Sequence, residues 1–274
     1  MYHLTNLTQI ELSYSFNKPL GNSFIQLRNL THLTFGYSFN QPLANSLDQL
    51  INLTHLNFGN KFNQPLTNSL DQLINLTHLN FGDKFNQPLT NSLDQLINLT
   101  HLNFGNEFNQ HLANSLDQLI NLNYLIFGPK FNQPVEKSLG QLINLKILHF
   151  GWEFNQPLSG LLSQLINLTS LDLGKEFNQE LICPSNLQKL TLNCSNQNLI
   201  DNLPNSIEVL WCFNYFNSQL DNLPSSIKKI VICNPKYNYE LNNLPRSLEQ
   251  LELPTNYKLE LKNIPLNCKI IRLI

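Results

Sequence analysis

A block of 23 residues recurs along this chain with fixed phase. The block LTHLNFGNKFNQPLTNSLDQLIN begins at Leu53, returns almost unchanged at Leu76 and Leu99, and is recognisable at Leu30, Leu122, Leu145 and Leu168. A fixed period in the twenties marks a solenoid, in which each unit buries its apolar side only by stacking on the next. No buried pocket is expected in such a fold, and activity is expected on the surface that the repeats line up.

With the first Leu of each block as position zero, apolar residues fall at positions zero, three and five, as in Leu53, Leu56 and Phe58. Polar residues sit between them, giving the two-residue alternation of a strand. Gly36, Gly59, Gly82, Gly105, Gly128, Gly151 and Gly174 follow at position six, where a tight turn is expected to end the strand. Next comes Phe-Asn-Gln-Pro-Leu, an extended or turning crossover, because Pro cannot donate to a ladder. Ser-Leu-Asp-Gln-Leu-Ile-Asn then reads as a short helical turn, with Ser as its cap and two Leu pointing to one side. Phe16, Phe39, Phe62, Phe85, Phe108, Phe131, Phe154 and Phe177 make a column, and each is followed by Asn. A buried Asn column is expected to satisfy backbone groups that the sharp crossover leaves unpaired.

The pattern LxxLxFxxxFNxPLxxSLxxLxN resembles leucine-rich repeats. That resemblance implies an α/β repeat solenoid, a curved horseshoe with short parallel strands on its concave face. The Asn sits ten residues after the first Leu rather than the usual eight. Together with the string FNQPL, this is similar to the FNIP repeat family of social amoebae and large amoeba-infecting DNA viruses. The family resemblance implies a protein-interaction scaffold related to ubiquitin-ligase substrate recruitment. The usual partner of these repeats, an N-terminal F-box, is not expected in this sequence, since Leu4 already matches Leu27 and Leu50.

After residue 182 the repeat shortens. Strands are expected from Leu187, Ile207, Ile227, Leu248 and Cys268, and Asn-Leu-Pro-x-Ser replaces the helical turn at 202–206, 222–226 and 243–247. About 13 strands result, for an inner arc of roughly 60 Å. The expected organisation is one solenoid over 1–274, with 23-residue repeats over 1–182 and shorter ones over 183–274.

Only 13% of residues are charged and the formal net charge is −2. Neither side of residue 182 is strongly biased, which argues against nucleic acid as a partner. No run approaches a membrane span, and MYHLTNLTQIELS lacks the basic head and apolar core of a signal peptide. Cys183, Cys194, Cys212, Cys233 and Cys268 show no C-x-x-C pair and read as free thiols of an intracellular, cytoplasmic protein, in the host cytoplasm if the source is viral. The sequons at Asn29, Asn52, Asn75 and Asn98 follow from the repeat and read as unused.

His32, His55, His78 and His101 occupy position two, with rings expected about 5 Å apart. That spacing makes them a metal-binding alternative, although they lack the carboxylates that usually orient ligating imidazoles. Asp48, Asp71, Asp94 and Asp117 form a column expected to be solvated. There is no nucleophile motif and no phosphate loop, so neither enzyme activity nor a cofactor is expected. Where the copies diverge, outward strand positions become aromatic or branched. Tyr124, Ile147 and Val209 stand at position two; Ile126, His149, Trp211 and Val231 stand at position four; Trp152 follows its strand. Tyr124, Ile126, Ile147, His149, Trp152 and Trp211 are therefore the expected binding residues for an unidentified protein partner. The polar caps that a solenoid needs are also missing from the sequence, which leads to an expectation of end-to-end self-association.

Overall fold

The computed structural model describes residues 5–273. Leu4, read as matching Leu27 and Leu50, and Ile274, expected in the last strand, lie outside the described residues. The chain forms two compact units, 1–145 and 146–274.

In the first unit the strands are β1 (Gln9–Glu11), β2 (His32–Thr34), β3 (His55–Asn57), β4 (His78–Asn80), β5 (His101–Asn103) and β6 (Tyr124–Ile126), followed by α1 (Glu136–Leu139). They pair in sequence order, all parallel and in register: His55 opposite His32 and His78, Leu56 opposite Leu33 and Leu79. The second unit contains β7 (Ile147–His149), α2 (Ser159–Leu162), β8 (Ser170–Leu173), β9 (Lys189–Leu192), α3 (Gln197–Asp201), β10 (Val209–Cys212), β11 (Lys229–Ile232), β12 (Gln250–Pro254) and β13 (Lys269–Leu273). Its strands also pair in parallel and in order.

Nearly every strand starts two residues later than its pattern suggests. The zero-position Leu still closes the preceding turn, as Leu53 N–H donates to Leu50 O, and the ladder begins when His55 N–H reaches Thr31 O. That Leu is a core residue all the same: Leu30, Leu53, Leu76 and Leu99 are fully buried.

The Phe column stacks behind the sheet. In the first unit Phe62, Phe85 and Phe108 lie 6.1 and 6.0 Å apart, and Phe81 covers Phe85 at 4.1 Å. In the second unit Tyr237 and Tyr257 continue from Phe216, and their hydroxyls donate to Ser218 O and Tyr239 O. Inside a core a phenol needs such acceptors, which is why Tyr can replace Phe here.

The Asn following Phe links neighbouring repeats as expected, although the column is half-buried rather than buried. Asn63 Oδ1 accepts from Asn86 N–H at 2.9 Å and from Gln87 Nε2 at 3.0 Å. Asn63→Ala is expected to cost about 1–3 kcal/mol, because the amide of Asn86 loses its acceptor. Urea denaturation measures this directly, and an unchanged midpoint would show that water replaces the bond.

The tight turn expected at position six forms, as Phe62 N–H donates to Gly59 O, but it does not need a left-handed glycine, since Gly21 is the sole positive-φ glycine among the described residues. The role of the glycine is close approach: a Cβ on Gly105 would lie 1.8 Å from Gly82 O. Two other sequence expectations are corrected. The Ser of the presumed helical turn is not a cap. Ser69, Ser92, Ser115 and Ser138 are buried, and Ser69 Oγ donates to Thr67 O. Among the described residues the helical turn forms in only two of the longer repeats, as α1 and α2. Elsewhere Ala44, Asn68, Asn91 or Ala113 is left-handed and breaks the segment into three-residue turns.

The sequon asparagines are structural. Asn52 Nδ2 donates to Arg28 O at 2.9 Å and Asn75 Nδ2 to Ile51 O at 2.8 Å, so the nitrogens that a glycan would use already tie repeat to repeat. The five cysteines are unpaired. Burial pushes the Cys183 thiol up to about 12 and that of Cys194 up to about 11, which leaves little reactive thiolate at neutral pH.

Candidate functional site

The strands present positions two and four away from the Leu and Phe core. In the first unit this outward face is polar and nearly uncharged. One column runs Gln9, His32, His55, His78, His101, Tyr124, and the other Glu11, Thr34, Asn57, Asn80, Asn103, Ile126. Between them lies an open groove of about 240 Å³, lined by His55, His78 and His101 against Asn57, Asn80 and Asn103, with Tyr124 and Ile126 at one end.

The four imidazoles stack face to face, with centroids 4.2, 4.1 and 4.2 Å apart and planes within 12°. Each Nδ1 lies 2.9 Å from the hydroxyl of the preceding Thr. That hydroxyl has one proton, and it is donated to a backbone carbonyl, as Thr54 Oγ1 donates to Thr31 O at 3.0 Å. The Thr oxygen must therefore accept from His, which assigns the Nδ1–H tautomer and leaves Nε2 as an outward acceptor. Near-parallel rings aim their Nε2 atoms in one direction instead of converging them. Among the described residues no group of three or more His, Cys, Asp or Glu could hold a metal ion.

Partial burial, with the imidazoles of His101, His55 and His32, lowers His78 to about 4 from 6.5. His55 is lowered by burial and by His32 and His101. With the folded pKa below the unfolded one, the unfolded chain takes up the proton first. The contribution of His78, and with it that of His55, is fully present above about pH 6.5 and is lost as the pH falls, for His78 toward about 4. The urea midpoint is expected to drop between about pH 7 and about pH 4.5, and less so in a His55→Asn/His78→Asn variant. Equal drops in both proteins would show that the stack tolerates protonation.

Of the expected binding residues, Tyr124 and Ile126 are half-buried on β6 in the first unit. The other four lie in the second unit. Ile147 and His149 are half-buried on β7, Trp211 is half-buried on β10, and Trp152 is 55% exposed in the turn after β7. Trp152 meets Tyr215 edge-on at 6.1 Å, and Lys175 Nζ sits 4.7 Å from the Tyr215 ring centre. His149 Nδ1 lies 3.9 Å from Asp172 Oδ2. Burial pushes the Asp172 carboxyl up to about 7 against the pull of Lys189, and burial together with Lys189 lowers His149. Val231, expected to be exposed, is 1% exposed; its register neighbours on the flanking strands are Trp211 and Glu252.

Sequence reading missed two features of the turn side. Ile51, Ile74, Ile97, Ile120 and Ile143 form a half-exposed apolar column, visible in the sequence at position 21. The Asp column is half-buried rather than solvated, with Asp48 raised by burial and by Asp71.

Parallel strands stacked in register on Leu and Phe columns define a leucine-rich-repeat-like fold, and solved structures agree. CroV588, described as a novel circular leucine-rich-repeat protein, is 29% identical, with a TM-score of 0.59 over 98% of this chain and 46% of its own. The Leptospira interrogans leucine-rich-repeat protein LIC12759 is 23% identical, with a TM-score of 0.71 over 98% of this chain and 73% of its own. The Listeria monocytogenes internalin InlF is 18% identical, with a TM-score of 0.67 over 97% and 76%. The chain thus spans less than half the length of CroV588. No protein-family model and no curated protein matches the sequence. Among the described residues no helix is long and apolar enough to cross a membrane.

Proposed function

We propose that the protein is a non-enzymatic scaffold that recognises a partner protein through the outward face of its strands. One observation carries this reading. Inward positions stay apolar, mostly Leu and Phe, throughout the longer repeats, while outward positions change from His and Asn to Tyr124 and Ile126 in one unit and to Ile147, His149 and Trp211 in the other. Fold-level likeness to leucine-rich-repeat proteins supports the same class of function by analogy. The FNQPL string supports kinship with FNIP repeats, and substrate recruitment to a ubiquitin ligase rests on that resemblance alone. Five unpaired thiols fit a reducing, cytoplasmic setting.

Affinity capture from cell extract tests the reading. Tyr124→Ala and Trp152→Ala are each expected to weaken retention of a captured partner by more than about tenfold. Normal capture by both variants would remove these residues from the binding surface.

A further inference from the structure

The outward face of the second unit carries fixed charge. β10 lies between β9 and β11, and Val209 is opposite both Lys189 and Lys229. Trp211, two residues on and facing the same way, receives both lysines: Lys189 Nζ is 5.0 Å and Lys229 Nζ 5.9 Å from its ring centre. We propose that Lys189 and Lys229, positioned by Trp211, form a docking point for an acidic, carboxylate-bearing segment of a partner protein. The proposal rests on reading this face as a recognition surface and names the chemistry that it recognises.

Three observations support it. Cation–π contact with one rigid ring limits the motion of both lysines, so less freedom is lost when a carboxylate binds. Charge is also unbalanced. Lys229 pairs with Glu252, but Lys189 has no ion-pair partner among the described residues. The neighbouring Asp172 carboxyl is held partly neutral by burial. Finally, the floor is dry: Thr191 and Val231, flanking Trp211, are 5% and 1% exposed, which strengthens any charge contact above them. Alternate strands lie about 9.6 Å apart, close to one turn of polyproline II, whose three residues at about 3.1 Å each bring side chains back to one face. Acidic residues at every third position of such a segment therefore match both lysines. Two lysines are too few for a nucleic-acid backbone, whose binding uses many phosphate contacts.

The test uses the full chain and a fluorescein-labelled synthetic peptide with Glu at every third position and Ser or Ala between, beside its Gln twin. Fluorescence anisotropy is expected to show the Glu peptide binding at least about tenfold tighter than the Gln peptide, more weakly as salt is added, and at least about tenfold more weakly to Lys189→Glu. Should Lys189→Glu fail to match the wild-type thermal melt, Lys189→Gln is read in its place. Equal binding of the two peptides, indifference to Lys189 substitution, or displacement of the peptide by a single-stranded oligonucleotide at lower concentration overturns the assignment. A captured partner that binds wild type and Lys189→Glu alike yet is lost on Trp211→Ala would overturn the acidic-segment chemistry while leaving the recognition surface in place.

Discussion

Phe85→Ala is expected to destabilise the protein by about 3–5 kcal/mol, the range for truncating a fully buried Phe. Phe85 is 0% exposed and packs between Phe62 and Phe108 with Phe81 across it. The cavity cannot close easily, because Phe62 and Phe108 are each held by their own repeat. Replacing Phe85 with Leu is expected to cost less, since more of the space stays filled. Chemical denaturation of the three proteins measures the series, and an Ala variant with an unchanged midpoint would show that neighbouring rings shift to fill the space.

Gly105→Ala is expected to be comparably damaging, at about 3 kcal/mol or more, the upper end of overpacking costs. The added methyl carbon would lie 1.8 Å from Gly82 O, a backbone atom that no rotamer change can move. Relief requires repeats to separate, which weakens the ladder between β4 and β5. Gly21→Ala is the matched control. Gly21 has φ 49° and nothing within 4 Å of the added carbon, so it meets only the left-handed backbone penalty of about 1–2 kcal/mol. If Gly105→Ala were the milder of the two, close approach would not be the reason for this glycine.

The solenoid was legible because duplication displays its own columns. Recurrence marks Leu at positions zero, three, 17 and 20 and Phe at five and nine as core, and residues such as Leu53, Leu56, Leu70, Leu73, Phe58 and Phe62 are all buried. Features that depend on the adjoining repeat were harder to read. The glycine column displays its turn but not its close approach, because the carbonyl it must clear belongs to residue 82 when the glycine is residue 105. The tautomer of His55 depends on Thr54 donating its one proton to Thr31, a link between repeats that no local pattern displays. Val231 looks exposed by alternation, yet it is buried, and only the register shows that it stands between Trp211 and Glu252. The Lys189–Trp211–Lys229 arrangement spans 41 positions counted inclusively from residue 189 to 229, and only the parallel register brings it together.

The Asn ladder also gives the first unit a direction. Each side-chain oxygen accepts from the backbone amide of the following repeat: Asn40 from Asn63, Asn63 from Asn86, Asn86 from Asn109. Donor and acceptor are in the same order at every junction, so another copy of the block inserted between Leu76 and Leu99 would meet a matching surface on both sides. Unit length can therefore change by duplication without inventing a new interface, and outward residues can vary afterwards on a backbone that already fits.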